Sequence, residues 1–222
     1  MEMLRIFRQF KQILLTTAFL LVAVTAMSQV KKKPVPRKAA VSKTGSSQLN
    51  DFLFLAGDAD VTFTFPTGFK EAKVLNNEDF SFDYGIEIPG NEFAVWFQVR
   101  SQKKDWQNYM ALKNDPTKQT ADPDTAYVAK GSALATSLSD DKTVMPRDID
   151  QDVLARYNAN AGRSYLINLP YLDETNHYKY ALVLAIEKDH TGTIIAVCFT
   201  DEKNPEFFKN VSQISQYIKF KP

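Results

Sequence analysis

The chain predicts an α+β fold: a mostly antiparallel sheet with helices on both faces, a three-layer α/β/α sandwich. Three observations carry that expectation. Residues 80–88 alternate apolar and polar side chains, the period of a half-exposed strand. Residues 180–186 and 193–199 are apolar on both faces, as strands are in the middle of a covered sheet. Three further segments combine helix-start residues with an apolar stripe at helical spacing, and these supply the covers.

Taken in order, residues 61–65 read as a first strand, stopped by Pro66. In 80–88, Phe80, Phe82, Tyr84, Ile86 and Ile88 fall on one face and Ser81, Asp83, Gly85 and Glu87 on the other. Pro89, Gly90 and Asn91 then turn the chain into a strand over 92–100, making a hairpin. Asp122 and Pro123 open a helix with Tyr127, Leu134 and Leu138 on one side. A second helix is expected over 146–157, with Ile149, Val153 and Tyr157 aligned and Gly162 just past its end. Residues 163–169, closed by Pro170, form a strand beside the long apolar hairpin, whose turn is the polar stretch 188–192. The last helix starts at Asn204, Pro205 and Glu206, which read as N-cap, first-turn proline and first-turn acid. Phe207, Val211, Ile214 and Ile218 follow as its stripe.

Ahead of this domain stands a leader. Arg5, Arg8 and Lys11 precede an apolar run over 13–27, and Ala26 and Ser28 sit at −3 and −1 of a cut before Gln29. That is the layout of a secretory signal peptide over 1–28. The run is shorter than the roughly 20 residues that span a bilayer as a helix, so the competing anchor requires an uncleaved leader. Lipoprotein processing needs a cysteine at the cut; Gln29 stands there, and the single cysteine is Cys198. Expected localisation is therefore periplasmic or extracellular, without a lipid anchor. Cys198 lies in an apolar strand and reads as a packed core thiol. A lone cysteine forms no internal disulfide, so stability falls to the hydrophobic core of residues 49–222.

The net charge of +1 hides an uneven distribution. Residues 29–48 carry six bases (Lys31, Lys32, Lys33, Arg37, Lys38, Lys43) and no acid, with Pro, Gly and Ser but no apolar periodicity. Such a segment is expected to be a disordered basic linker. Once its bases and the three bases and one acid of the leader are set aside, residues 49–222 keep 18 bases and 25 acids, a net of −7. The basic tail over 31–43 suits an anionic surface or a solvated spacer. The acidic domain does not suit nucleic acid. Membrane contact is expected only through an uncleaved leader or transiently.

The element order carries a resemblance. A first strand running into Thr64-Phe65-Pro66-Thr67-Gly68-Phe69, middle helices, a long apolar hairpin and a last helix ending in Tyr217-Ile218-Lys219-Phe220 resemble the Mog1/PsbP/DcrB-like group. The leader and the Phe-, Lys- and Asn-rich body are similar to small exported proteins of Bacteroidota. The resemblance implies an α/β/α sandwich and an accessory or binding role in the envelope or a lumen. It carries no catalytic residues over.

Candidate sites are sparse. His177 lies in a polar loop with Asp173 and Glu174, which could join it as metal ligands or acid–base groups if the loop curls. His190 reads as an exposed turn residue. Asp148, Asp150 and Asp152 imitate the start of a calcium loop, but Val153 and Ala159 stand where that loop needs Gly and Glu. The three acids instead suit a helix N-terminus. Trp96 and Trp106, with Phe93, Phe97 and Tyr109, form an aromatic stretch that is either core or an exposed patch for a partner or small ligand. Asn210-Val211-Ser212 fits a glycosylation sequon inside the last helix, and Asp124-Thr125-Ala126 a short O-glycosylation motif. Phosphate loops, nucleophile elbows, paired-cysteine zinc spacings and zinc-protease helices are absent from the sequence, and no cofactor is implied. The expected function is an exported, non-enzymatic accessory or binding protein. The alternative is a small hydrolase using His177 with its neighbouring carboxylates.

Overall fold

Among the described residues, two sheets and five helices form in the order α1 (Ser47–Asp58), β1 (Val61–Phe63), β2 (Lys70–Glu71), β3 (Tyr84–Glu87), β4 (Phe93–Ser101) and α2 (Lys103–Leu112). A 3₁₀ turn (Pro123–Thr125) leads into α3 (Ala126–Leu138), β5 (Arg147–Asp148), α4 (Gln151–Tyr157), β6 (Ala161–Asn168), β7 (Tyr180–Lys188), β8 (Gly192–Thr200), α5 (Pro205–Tyr217) and β9 (Ile218–Phe220). The computed structural model describes residues 46–222 apart from 78–80, 91–92, 119, 142, 172–174 and 176–177. The leader expectation and residues 29–45 of the basic-linker expectation fall outside these residues; Ser46, Ser47 and Gln48, expected to end that disordered linker, instead cap and begin α1.

The main sheet has seven strands in the order β2-β3-β4-β8-β7-β6-β5, antiparallel at every pairing. This establishes the α+β class. The apolar runs take the central positions: every residue of β8 is buried, and β8 pairs with both β4 and β7 along its whole length. A strand covered on both faces can afford no exposed side chain, which is why its sequence lacks alternation. β1 and β9 pair separately, Val61 with Phe220 and Phe63 with Ile218.

The core falls into two clusters. Phe93, Val95, Phe97 and Val99 of β4 join Phe52 of α1, Leu154 and Tyr157 of α4, and Phe207 and Ile214 of α5. The alternating residues Ala94 and Trp96 join Leu134, Ala135 and Leu138 of α3. β8 divides in the same way, with Cys198 in the first cluster and Val197 and Phe199 in the second. Each Phe, Ile or Val so buried stabilises by roughly 1.5–3 kcal/mol relative to exposure.

Local chemistry explains the helices. Asn204 caps α5 as its spacing predicts, its side chain accepting from the Phe207 amide at 2.9 Å. Ile218, expected on the same stripe, is the first residue of β9. Four expectations are corrected. Phe82 does not share a face with Tyr84: it packs in the second cluster and Tyr84 in the first. The alternation breaks at Asp83, whose amide bonds Phe97 O and whose carboxylate takes the Val99 amide at 2.7 Å and the Arg100 guanidinium. β3 is not half-exposed either, since Gly85 is buried with Val74 and Trp96 packed over it. The helix expected from 146 starts only at Gln151, because Arg147 and Asp148 pair with Ser164 and Arg163 of β6 first. Asn158, not Gly162, ends that helix in the left-handed region at φ 53°, and Gly162 belongs to β6.

α1 and α2 were not signalled by the pattern. α1 is capped by the Ser46 hydroxyl and inserts Phe52 between Phe63 and Tyr84, with ring centroids 5.1 Å from each. Among the described residues, no helix is long and apolar enough to cross a membrane.

Candidate functional site

Polar chemistry gathers where β7 turns into β8. The turn places His190 at φ 58°, and Gly192 follows where a Cβ would meet Arg100 O at 2.5 Å. Only a glycine lets β8 approach β4 so closely there. The register then sets Arg100 opposite Thr193 and Thr193 opposite Glu187. By strand parity, Glu187 lies on the side of Ala181, Val183 and Ala185, and Thr193 on that of Ile195, Val197 and Phe199. Both therefore continue the rows of the second cluster past the point where its apolar filling stops.

Three segments close over this end. Gln102, after β4, donates its amide to Thr191 O at 2.9 Å and its side-chain Nε2 to Pro123 O at 3.0 Å. Asp122 caps the 3₁₀ turn by accepting from the Asp124 amide at 3.0 Å. Asp124 reaches back to the hairpin: its Oδ1 accepts the His190 amide at 2.8 Å, and its Oδ2 lies 3.3 Å from His190 Nε2. The His190 ring stacks on Trp106 of α2, with centroids 3.7 Å apart at 26°.

The buried groups beneath are poorly satisfied. Glu187 is 0% exposed, Gln102 and Thr193 are 1% exposed, and Glu187 Oε1 and Oε2, Gln102 Oε1 and Thr193 Oγ1 have no hydrogen-bond partner among the described residues. Burial pushes the Glu187 carboxyl up to about 9, helped by Asp124, Asp189 and Asp122 and opposed by Lys130. A buried carboxyl in this field holds its proton at neutral pH.

A second feature lies at the other end of β4 and β8. An open cleft of about 240 Å³ is edged by Glu202, Asn204, Glu206 and Asn210 over Phe93 and Phe207. Asn204 is committed to the α5 cap and donates to Glu202 Oε2 at 3.3 Å. Glu206 and Asn210, one helical turn apart, face the cleft. The carboxylates accept hydrogen bonds, and the carboxamides both accept and donate them.

His177, Asp173 and Glu174 lie outside the described residues. Trp96 and Trp106 do not form one patch: Trp96 is 1% exposed and packs on Phe82 and Phe199, whereas Trp106 is half-buried against His190 and Tyr109. Cys198 is fully buried and its thiol is pushed upward by desolvation, consistent with a packed core residue. Asp148 pairs with Arg163, while Asp150 and Asp152 stand at the start of α4, as their helix-terminus reading predicts. Among the described residues, no group of three or more His, Cys, Asp or Glu side chains is placed to hold a metal.

Glu187, Gln102, Thr193 and Asp124 were missed as a group. One signal was available: Glu187 directly follows an apolar run and shares the parity of Ala181, Val183 and Ala185, so a strand one residue longer buries it. No family model matches the chain, and no curated protein matches it.

Proposed function

We propose that this chain is an exported, non-enzymatic accessory protein that binds a component of the cell envelope through the cleft at the start of α5. Export rests on the leader over 1–28, with a cut before Gln29 and a periplasmic or extracellular product. The observation that carries the binding role is the cleft itself, where two carboxylates and two carboxamides converge over Phe93 and Phe207. Such a set fits hydroxyl- or amine-bearing groups. The sorting of the core into two clusters supports the three-layer arrangement. The basic tail over 31–43 gives the exported chain a means of lingering at anionic surfaces.

The test has two arms. Fractionation and N-terminal sequencing after expression with the leader should recover an envelope or secreted product beginning at Gln29; retention in the cytoplasm removes the export reading. Capture from envelope extracts should then be compared between wild type and a Glu206→Gln, Asn210→Ala variant of unchanged circular dichroism. A component enriched by wild type and lost by the variant supports the cleft, and identical capture by both excludes it.

A further inference from the structure

The four unpartnered oxygens beneath the 3₁₀ turn share one property: all are acceptors or hydroxyls buried in a strongly negative field. Glu187 supplies two from β7, Thr193 one from β8 and Gln102 one from the end of β4. Had the Thr193 hydroxyl reached Glu187 within hydrogen-bond distance, the two would satisfy each other; they do not, although their residues pair directly across the strands. The Gln102 amide is fixed by its Nε2 bond to Pro123 O, which leaves its oxygen with no bond of its own. Around them stand Asp122 and Asp124 on the turn and Asp189 on the hairpin, while Lys130 on the exposed side of α3 offsets part of that charge. Unpaired buried acceptors are costly, and acids clustered over them raise the cost further.

We propose that Glu187, Gln102 and Thr193, beneath Asp124, form a binding site for one hard cation of the calcium class. The donor set is all oxygen, drawn from carboxylate, carboxamide and hydroxyl groups on separate elements; it lacks the imidazole and thiolate ligands that select zinc or copper. Magnesium demands near-ideal octahedral geometry and keeps several waters, which side chains of residues only 0–1% exposed do not favour. A bound cation makes the ionised form of Glu187 the stable one and satisfies the acceptors together. Asp124 stands at the rim and already holds His190, so occupancy tightens the turn, the hairpin tip and Trp106 as one unit.

Calcium chloride at millimolar concentration, added to the chelator-stripped full chain, should raise its unfolding temperature by about 5 °C or more. Terbium, which takes calcium sites, should show luminescence on tryptophan excitation, because Trp106 stacks on the residue held by Asp124. Glu187→Gln and, independently, Thr193→Val should lose the calcium shift while staying folded; Thr193→Val conserves volume and guards against a folding failure in the other variant. Absence of a calcium shift in wild type overturns the proposal. So does a shift that persists undiminished in a folded Glu187→Gln or Thr193→Val chain, since the ion then binds elsewhere, or one given equally by magnesium.

Discussion

Within β7, Val183 to Ile186 and the next residue, Glu187, are all shielded from water, yet they act in opposite directions. The first four fill the two core clusters and are matched by Ile194 to Val197 of β8. Glu187 sits at the same depth, and its carboxylate meets no hydrogen-bond partner among the described residues. The apolar stretch holds the fold together by removing area from water, whereas the polar end withdraws stability from it. Strands that spend most of their length on packing and then bury an unsatisfied acid next to a turn show where folding and function pull apart.

The largest effect is expected on the apolar side. Phe52→Ala removes a fully buried ring that touches Phe63, Tyr84 and Phe97, and should cost about 3–5 kcal/mol in a urea titration. A loss under 1 kcal/mol would show that α1 is not part of the folded core. On the polar side the sign reverses: Glu187→Gln in chelator should gain up to about 3 kcal/mol at pH 7, because the amide needs no proton to be buried neutral. Next comes the cap of α5, where Asn204→Ala should cost about 1 kcal/mol and also loosen the cleft edge it shares with Glu202. His190→Ala should cost least, about 0.5 kcal/mol, since the ring is half-exposed and its contacts with Asp124 and Trp106 face solvent. A markedly larger loss there would mean that the turn and hairpin are held mainly by that one residue.

The same contrast explains what the sequence made legible. Apolar runs on both faces marked β7 and β8 as central, and the Asn204-Pro205-Glu206 start marked α5, because burial and capping write directly onto residue type. α1 was hidden since Leu53, Phe54 and Leu55 are exposed to 38–78% beside the buried Phe52 and Ala56, which blurs the stripe. β3 misled because Asp83 spends its carboxylate on neighbouring β4 and bends the chain, a tertiary event that alternation cannot report. Of the candidate site, only the residue types were visible. The convergence of Gln102, Asp124, Glu187 and Thr193 depends on pairings between positions far apart in the chain.

Wild type and Glu187→Gln, unfolded in chelator across pH 5 to 8, give the most direct test of the claim that Glu187 is buried with its proton. An unfolded glutamate loses its proton above about 4.5, whereas the folded one holds it to about 9, so unfolding releases a proton throughout this window. Wild-type stability should therefore fall relative to the variant as pH rises, by about 1.4 kcal/mol per pH unit. Parallel stability curves for the two proteins over that range would contradict it.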